Sequence, residues 1–333
     1  MNGQMNGPMN GVGSVGRSVF GLGALDRWVD DDEVEEVLVN DGGQVWIARR
    51  GITGTQYVGR LEAGVVDVVI ERVLAPTGRR LDRASPVVDA RLADGTRVCA
   101  VLPPVSPDGP CLAFRKFPRH ALELEHFAGA PLVALMSQLV HSRCNVLVSG
   151  ATSSGKTTLL NALASCVDPT ERIITLEDTA ELKLRSSHVL RLETRPAGVE
   201  GVAAIDMTVL VRTALRLRPD RLVVGEIRGD EAVDLVQAMN TGHDGSLATL
   251  HANSPDDALA RLGSLVVRAT PGWPLADVRA QIERSVDVVV HVARDEAGRR
   301  AVRQIVEVGT DGRGTRLLAD TSGVIADRRR VRT

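Results

Sequence analysis

The sequence predicts an α/β protein in which a domain built on a parallel sheet follows a smaller α+β domain. Three observations support this prediction. Between residues 34 and 117, alternating apolar and polar residues form hairpin patterns around one helical stretch. From residue 130 onward, apolar strands that end in polar residues alternate with capped helices, which is typical of a parallel sheet with helices on both faces. A glycine-rich loop connects the first of those strands to the helix after it.

The chain of 333 residues is long enough for two domains that each bury a core. Residues 1–18 repeat Met-Asn-Gly three times and are rich in glycine, so we expect a disordered tail. The α+β domain should then cover 19–117, and the polar residues 118–129 should form a linker. The parallel-sheet domain should cover 130–310, and 311–333 should form a basic C-terminal tail.

In the first domain, two alternating runs within 34–49 flank the residues Asn40-Asp-Gly-Gly43, and this turn chemistry favours a hairpin. Apolar residues then recur at helical spacing over 61–74. A second hairpin is predicted over 87–101, and a strand over 111–117 closes the domain.

The second domain is predicted to contain strands over 144–149, 172–176, 189–192, 221–224 and 246–250. The helix predicted over 231–240 has Asp230 as its N-cap and Gly242 just after its end. A further helix begins at Ser254-Pro255, where an N-cap residue precedes a proline in the first turn. A late hairpin is predicted to pair 286–292 with 301–308.

Composition narrows the class of protein. Hydrophobic residues make up 44% of the chain and the formal net charge is −2, which argues against a general polyanion binder, so nucleic acid is not an expected partner. The sequence has no run of about 18 apolar residues and no signal sequence, so we expect a cytosolic protein without a transmembrane segment. The four cysteines include no C-x-x-C pair, which favours reduced thiols over a zinc site or a disulfide framework.

A phosphate-binding loop is the strongest motif. Its residues are Gly150, Ala151, Thr152, Ser153, Ser154, Gly155, Lys156 and Thr157, and Thr158 starts the helical stretch that follows. The two glycines let the backbone wrap a phosphate chain, and amide N–H groups at the helix N-terminus bind it. Lys156 is expected to reach the β- and γ-phosphates of ATP, and Thr157 to bind Mg²⁺. Because the chain has only three lysines, a chance match is rare.

Carboxylates follow two further apolar strands. Glu226 ends the run that begins at Arg221, at the sheet edge where ligands bind in parallel sheets. We expect it to polarise the attacking water or to hold a water of the Mg²⁺ shell. Glu177 and Asp178 end the preceding run in the same way, so Thr157, Glu177 and Glu226 together suggest a metal and water site. Taken singly, Glu177 is no better supported than a helix-capping acid.

Histidines stand at both ends of the strand predicted over 246–250. They are His243, in the sequence Thr-Gly-His, and His251, in the sequence Leu-His-Ala-Asn. A lone histidine is more often structural than catalytic, and the alternative here is a role in sensing phosphate.

The order of these motifs resembles that of the secretion ATPases of type II and type IV systems, where they are called Walker A, Asp box, Walker B and His box. Two stretches, 191–196 and 210–220, resemble the CpaF kind, the motor of tight-adherence (Flp) pilus assembly. The residues 88–92 and 94–98 of the first domain do so as well. The resemblance runs from about residue 30 to about residue 310.

This resemblance implies a homohexameric ring at the cytoplasmic face of the inner membrane, in contact with membrane platform proteins. Each subunit would join a sensing N-terminal domain to a RecA-like motor domain, with nucleotide between them. N-terminal arginines would stabilise the phosphates, and by position these are Arg91 for binding and Arg97 and Arg115 for catalysis. Where relatives have paired arginines this chain has Arg115-Lys116, so the second position would bind phosphate as a point charge.

The expected function is therefore an ATP-hydrolysing hexameric motor that powers pilus assembly or protein secretion. Glu226 would position water, His251 would report the γ-phosphate, and His243 would contribute to nucleotide binding. A DNA-handling motor for conjugation or DNA uptake is the alternative, although the near-neutral charge and eight aromatic residues argue against direct strand binding. A small-molecule kinase on a P-loop fold would leave the first domain and the His box unexplained.

Overall fold

The computed structural model describes residues 21–328, apart from positions 53, 78, 93, 117–121, 196, 198–202, 296–297 and 310–313. The chain divides into two compact units, 1–119 and 120–333. The predicted tail at 1–18 lies outside the described residues, as does the first part of the predicted linker. No helix in the described part is both long and apolar enough to cross a membrane.

The first unit is an antiparallel sheet of six strands in the order β3-β2-β1-β6-β5-β4. The strands are β1 (Val34–Asn40), β2 (Gln44–Arg49), β3 (Gln56–Arg60), β4 (Val87–Arg91), β5 (Arg97–Val101) and β6 (Cys111–Arg115). The helices are α1 (Asp26–Val29) and α2 (Val65–Leu74). Both predicted hairpins are confirmed. Strand β3 was not predicted, because an edge strand with exposed residues such as Tyr57 lacks a clear apolar alternation.

Helix α2 supplies much of the first core. It buries Val66, Val69, Ile70 and Val73 at helical spacing, in one cluster with Phe114 of β6. Each such side chain stabilises the fold by about 1.5–3 kcal/mol. The helix begins at Val65 rather than near residue 61, because Gly64 at φ +79° precedes it in the left-handed region.

The second unit is built on a nine-stranded sheet in the order β15-β14-β13-β12-β7-β11-β10-β8-β9. The strands are β7 (Val146–Gly150), β8 (Ile173–Glu177), β9 (Val189–Glu193), β10 (Arg221–Val224), β11 (Leu247–His251), β12 (Val288–Arg294), β13 (Arg300–Val308), β14 (Thr315–Asp320) and β15 (Gly323–Val324). Six strands, β12, β7, β11, β10, β8 and β9, run parallel to one another. Strands β13, β14 and β15 are each antiparallel to the strand before them. The predicted parallel sheet is thus confirmed and continues into an antiparallel edge.

Helices cover both faces of this sheet, as predicted. They are α3 (Ala130–His141), α4 (Lys156–Ala164), α5 (Met207–Ala214), α6 (Glu231–Asn240), α7 (Pro255–Ala269) and α8 (Leu275–Ser285). The apolar side chains of α3 and α4 belong to one core cluster, and those of α5 to α8 belong to another. Two separate clusters on one sheet are what a three-layer arrangement requires.

Two predicted boundaries of the second unit are wrong. Leu124 and Phe127, in the predicted linker, are 4% and 2% exposed and pack with α3 and α4, so two apolar residues tie this polar stretch to the core. The predicted basic tail at 311–333 contains β14 and β15, and Leu318 within it is fully buried. A short apolar run between arginines resembles a solvated tail in sequence, yet it completes the sheet.

Both predicted N-cap positions are confirmed, but only one of the two residues caps its helix with its side chain. Asp230 makes no side-chain cap to α6; instead Oε1 of Glu231 accepts the backbone N–H of Arg228 at 2.6 Å and of Gly229 at 2.9 Å. Ser254 caps α7 as predicted, since its hydroxyl oxygen accepts the N–H of Asp257 at 3.1 Å.

Candidate nucleotide-binding and hydrolysis site

The loop between β7 and α4 has the backbone of a phosphate-binding loop. Gly155, at φ +100°, immediately precedes α4, and only glycine adopts this conformation readily. A Cβ atom at Gly150 would lie 2.3 Å from the carbonyl oxygen of Val292, which is too close for any side chain. Both predicted glycines are therefore required by the fold.

Polar groups of this loop converge on the N-terminus of α4. Lys156 is 8% exposed, and its Nζ donates to the carbonyl oxygen of Ala151 at 2.9 Å. The buried hydroxyl of Ser154 has no hydrogen-bond partner among the described residues. Thr157 and Thr158 lie in the first helical turn and are partly exposed. A lysine, an orphaned hydroxyl and a helix N-terminus fit the phosphates of ATP.

The structure brings His251 to this loop. In the parallel register of β11 and β7, His251 lies beside Gly150, and its Nδ1 is 3.5 Å from Oγ1 of Thr152. The imidazole of His251 is therefore close enough to contact a ligand that binds in the loop or to contact Thr152 when the ligand does.

The structure does not bring His243 to this loop, and its role in nucleotide binding stays a prediction. His243 precedes β11, so it lies at the amino end of a strand whose carboxyl end carries His251. The strand separates the two ends by about 15 Å. The backbone N–H of His243 donates to the carbonyl oxygen of Ala238 near the end of α6, beyond the end of β11 that is opposite the phosphate-binding loop. The two histidines lie at opposite ends of β11, and their spacing in the sequence does not show which end is near the loop.

The carboxyl ends of β8 and β10 meet, because these strands are parallel neighbours. Arg228 bridges the acids that follow them: its Nε donates to Oε2 of Glu226 at 2.6 Å, and a terminal guanidinium nitrogen donates to Oδ2 of Asp178 at 3.0 Å. The side chain of Glu226 is 23% exposed. Glu226 is thus oriented by a cation and still reaches solvent.

Glu177 has different surroundings, although it ends the neighbouring strand. It is 2% exposed, and its Oε1 accepts the backbone N–H of Glu181 at 2.7 Å and of Leu182 at 2.9 Å. Burial raises the pKa of Glu177, and these two hydrogen bonds only partly offset that effect. Its Oε2 has no partner among the described residues. The carboxylate therefore anchors the chain after β8 with one oxygen and keeps the other available.

Mg²⁺ is compatible with this set of residues, although the described residues contain no group of three or more His, Cys, Asp or Glu side chains that could hold a metal ion. Mg²⁺ beside a phosphate-binding loop needs few protein ligands, because phosphate and water oxygens supply the rest. Suitable oxygens are the Thr157 hydroxyl, the partly exposed carboxylate of Glu226, and Oε2 of Glu177, which has no partner in the described part of the chain. The four cysteines are free thiols.

In the first unit, the three predicted arginines form a single row. Arg91 pairs with Arg97 across β4 and β5, and Arg97 pairs with Arg115 across β5 and β6, so all three lie on one face of the sheet. Glu36 continues the row, with its Oε1 3.7 Å from Nε of Arg115. The Nζ of Lys116 donates to the backbone carbonyl of Asp31. Three guanidinium groups therefore lie next to one another on one face of this sheet.

Several residues close to the phosphate-binding loop or to the acids after β8 and β10 were not predicted. Besides Arg228, these are Arg294, whose Nε donates to the Ser153 carbonyl at 3.0 Å, and Arg300, whose side chain covers Gly155. His291 is also close, since its Nδ1 lies 2.9 Å from Oγ of Ser149, and burial lowers its pKa. The chain uses arginine for nearly all its basic charge, so no sequence signal distinguishes these positions.

Comparisons with known proteins show the family of this chain. A sequence model of the family described as type II/IV secretion system protein matches residues 20–322. A protein of Mycobacterium tuberculosis strain H37Rv, provisionally named a conjugal transfer protein, is 40% identical over 296 residues, which cover 86% of this chain and 84% of that protein. The type IV secretion system protein PtlH of Bordetella pertussis is 35% identical over 321 residues, which cover 87% of this chain and 94% of PtlH.

Among solved structures, the Legionella pneumophila ATPase DotB resembles this chain with a TM-score of 0.61. The match covers 85% of this chain and 79% of DotB, at 19% sequence identity, and supports the fold alone. Together with the sheet order, it confirms the predicted fold: a RecA-like P-loop domain preceded by a smaller α+β domain.

Proposed function

Because the chain belongs to the type II/IV secretion system protein family, we propose that it hydrolyses ATP to power protein secretion or pilus assembly. The observation that carries this proposal is that one edge of the second sheet holds groups suited to binding phosphate and to orienting water. The phosphate-binding loop, His251 and the bridged acids Glu226 and Asp178 all lie at the carboxyl ends of parallel strands.

ATP phosphates would be bound by the backbone N–H groups of residues 151–157 and by Lys156, which would exchange the Ala151 carbonyl for a phosphate oxygen. Thr157 would help to hold Mg²⁺, which neutralises phosphate charge when it is bound. Glu226 would orient the attacking water, because it ends β10 at this edge, is held by Arg228 and still reaches solvent. Glu177 would support the metal site through Oε2, and His251 would respond to phosphate through Thr152.

We further propose that Arg91, Arg97 and Arg115 bind phosphate, as the family resemblance implies. Their alignment in one row supports this, because three guanidinium groups on one face can share a multiply charged ligand. The protein is proposed to act as a homohexamer at the cytoplasmic face of the inner membrane, with membrane platform proteins as partners. The narrower resemblance to the CpaF kind stays a prediction.

A DNA-handling motor is the second candidate, and one observation favours it. The M. tuberculosis relative, which is 40% identical, bears the name of a conjugal transfer protein. Adding single- and double-stranded DNA to an ATPase assay separates the two functions: at least severalfold stimulation by DNA would favour conjugation, and no stimulation would favour secretion or pilus assembly.

The proposed hydrolysis is tested by two substitutions with different expected results. Lys156→Ala should weaken MgATP binding by about 100-fold or more, since the triphosphate loses its lysine contact. Glu226→Gln should keep MgATP affinity and lower kcat by about 100-fold or more, since an amide cannot activate water in the same way. Affinity is measured by isothermal titration calorimetry, and kcat by phosphate release.

Lys183→Ala is the matched control, because Lys183 is an exposed lysine outside the loop. It should change neither quantity. Unchanged affinity in Lys156→Ala would place the nucleotide elsewhere, and near-normal kcat in Glu226→Gln would transfer the catalytic role to Glu177.

A further inference from the structure

The hairpin formed by β12 and β13 lies against the phosphate-binding loop at three points. The carbonyl oxygen of Val292 lies over Gly150, where a Cβ atom would be 2.3 Å away. The side chain of Arg300 lies over Gly155, where a Cβ atom would be 2.6 Å from its Cδ. Between these two contacts, Arg294 bonds directly to the loop. The hairpin therefore contacts the start, the middle and the end of the loop.

Arg294 connects the loop to the hairpin with two hydrogen bonds from one guanidinium group. Its Nε donates to the carbonyl oxygen of Ser153 at 3.0 Å, and a terminal nitrogen donates to the carbonyl oxygen of Gly298 at 2.8 Å. The carbonyl oxygen of Arg294 itself accepts from Arg303 at 3.2 Å. A planar guanidinium holds two acceptors at a fixed separation, which a flexible ammonium does not.

The loop residue that Arg294 holds has an unusual backbone conformation. Ser153 has φ +59°, in the left-handed region that non-glycine residues seldom adopt. Alternation of right- and left-handed residues turns successive N–H groups toward one point, which forms an anion-binding nest, while carbonyl oxygens turn outward. The Ser153 carbonyl is one of these oxygens, and the Nε of Arg294 binds it from the hairpin side.

We infer that Arg294 is a positioning residue that keeps the phosphate-binding loop in its phosphate-binding shape through the Ser153 carbonyl. The inference rests on the proposed function, because it concerns the same loop. According to this inference, the hairpin holds the loop in its binding shape before the nucleotide binds. Loss of this hydrogen bond would let Ser153 leave the left-handed region, and the N–H groups after it would no longer converge.

Two substitutions of Arg294 distinguish the effect of its two hydrogen bonds from the effect of its positive charge. Arg294→Lys keeps the positive charge but cannot hold both carbonyls in fixed geometry, and Arg294→Gln removes the charge as well. If shape is what matters, both should weaken MgADP binding by about tenfold, the effect of losing one well-formed hydrogen bond. Calorimetry measures the affinity, and circular dichroism checks that each variant is folded.

The matched control is Arg299→Gln, which removes the same charge from the same hairpin. Its side chain is 79% exposed, and its partner is Asp295, not the loop. We expect its MgADP affinity to stay within twofold of the wild type. Hydrogen–deuterium exchange of the nucleotide-free proteins adds a readout that does not depend on binding: peptides covering 152–157 should exchange faster in both Arg294 variants and unchanged in Arg299→Gln.

Two results would overturn the inference. Wild-type affinity in Arg294→Lys would show that charge alone matters, and unchanged exchange over 152–157 in both variants would show that the hairpin does not shape the loop. Failure of the proposed function has a different signature, because then the wild-type protein itself would not bind MgADP.

Discussion

At the scale of single residues, the contrast between Glu177 and Glu226 shows how environment assigns roles. Both end parallel strands, and in the sequence both follow apolar runs. Glu177 is buried and holds the backbone at Glu181 and Leu182, whereas Glu226 is held by Arg228 and reaches solvent. The first arrangement mainly stabilises the fold, and the second leaves a charged oxygen for chemistry.

Substitution of Glu177 tests this division. Glu177→Ala leaves one buried and one partly buried N–H group without their acceptor and should lower the free energy of unfolding by about 2–4 kcal/mol. Glu177→Gln keeps an acceptor and removes the charge that burial disfavours, so at pH 8 it should be at least as stable as the wild type. Urea unfolding followed by circular dichroism measures both.

The pH dependence of the Glu177 variants has a definite sign. Burial raises the pKa of Glu177 in the folded state above its usual value, so the folded protein binds this proton more tightly than the unfolded chain. The associated stability is present at low pH and is lost as pH rises through the raised pKa. The advantage of Glu177→Gln over the wild type should therefore be larger at pH 8 than at pH 5. An equal loss for Gln and Ala at pH 8 would show that the fold needs the charge.

The sequence predicted the phosphate-binding loop but not the arginines around it or the positions of the two histidines. Glycines and a lysine at fixed spacing identify the loop, because the backbone geometry admits few other residues. His243 and His251 are equivalent in the sequence, and only the direction of β11 separates them. Arg228 and Arg294 were not predicted, since a guanidinium that binds a backbone carbonyl or bridges two acids has no sequence pattern of its own.

At the scale of elements, β14 and β15 show why the C-terminal boundary was mispredicted. Arginines in and after these strands are the partners of buried acids: Arg316 of β14 binds Glu307 of β13 at 2.7 Å, and Arg328, which follows β15, lies 3.6 Å from Asp287, the fully buried residue before β12. In the sequence these arginines resemble solvated charge. The alternation of strands and helices before them was predicted well, because each buried parallel strand is a continuous apolar run.

Arg316→Gln tests whether these strands are an integral part of the sheet. It removes an ion-pair partner of Glu307, whose side chain is only 6% exposed, so the buried negative charge is less well neutralised. The free energy of unfolding should fall by about 1–3 kcal/mol. Arg299→Gln, which breaks an exposed pair, is the control and should cost less than about 0.5 kcal/mol. Equal small effects in urea unfolding would mean that the last two strands contribute little to stability.

At the scale of the whole molecule, each unit has its own core. The first unit carries a row of three arginines, and the second carries the phosphate-binding loop. Neither set alone contains every group that the proposed hydrolysis uses. A motor of this kind converts hydrolysis into motion only if its active sites depend on the arrangement of units, and in a ring neighbouring subunits set that arrangement.

The proposed ring therefore predicts that active sites are coupled. Wild-type protein mixed with increasing fractions of Glu226→Gln, which should bind ATP without turning it over, should lose activity more steeply than dilution requires, because a stalled subunit holds its neighbours in place. Mixing with Lys183→Ala is the control and should leave activity constant. Phosphate release is measured at each fraction, at concentrations where light scattering shows mixed hexamers. A straight line against the Glu226→Gln fraction would mean independent sites, which would exclude the coupled motor and leave the ATPase assignment intact.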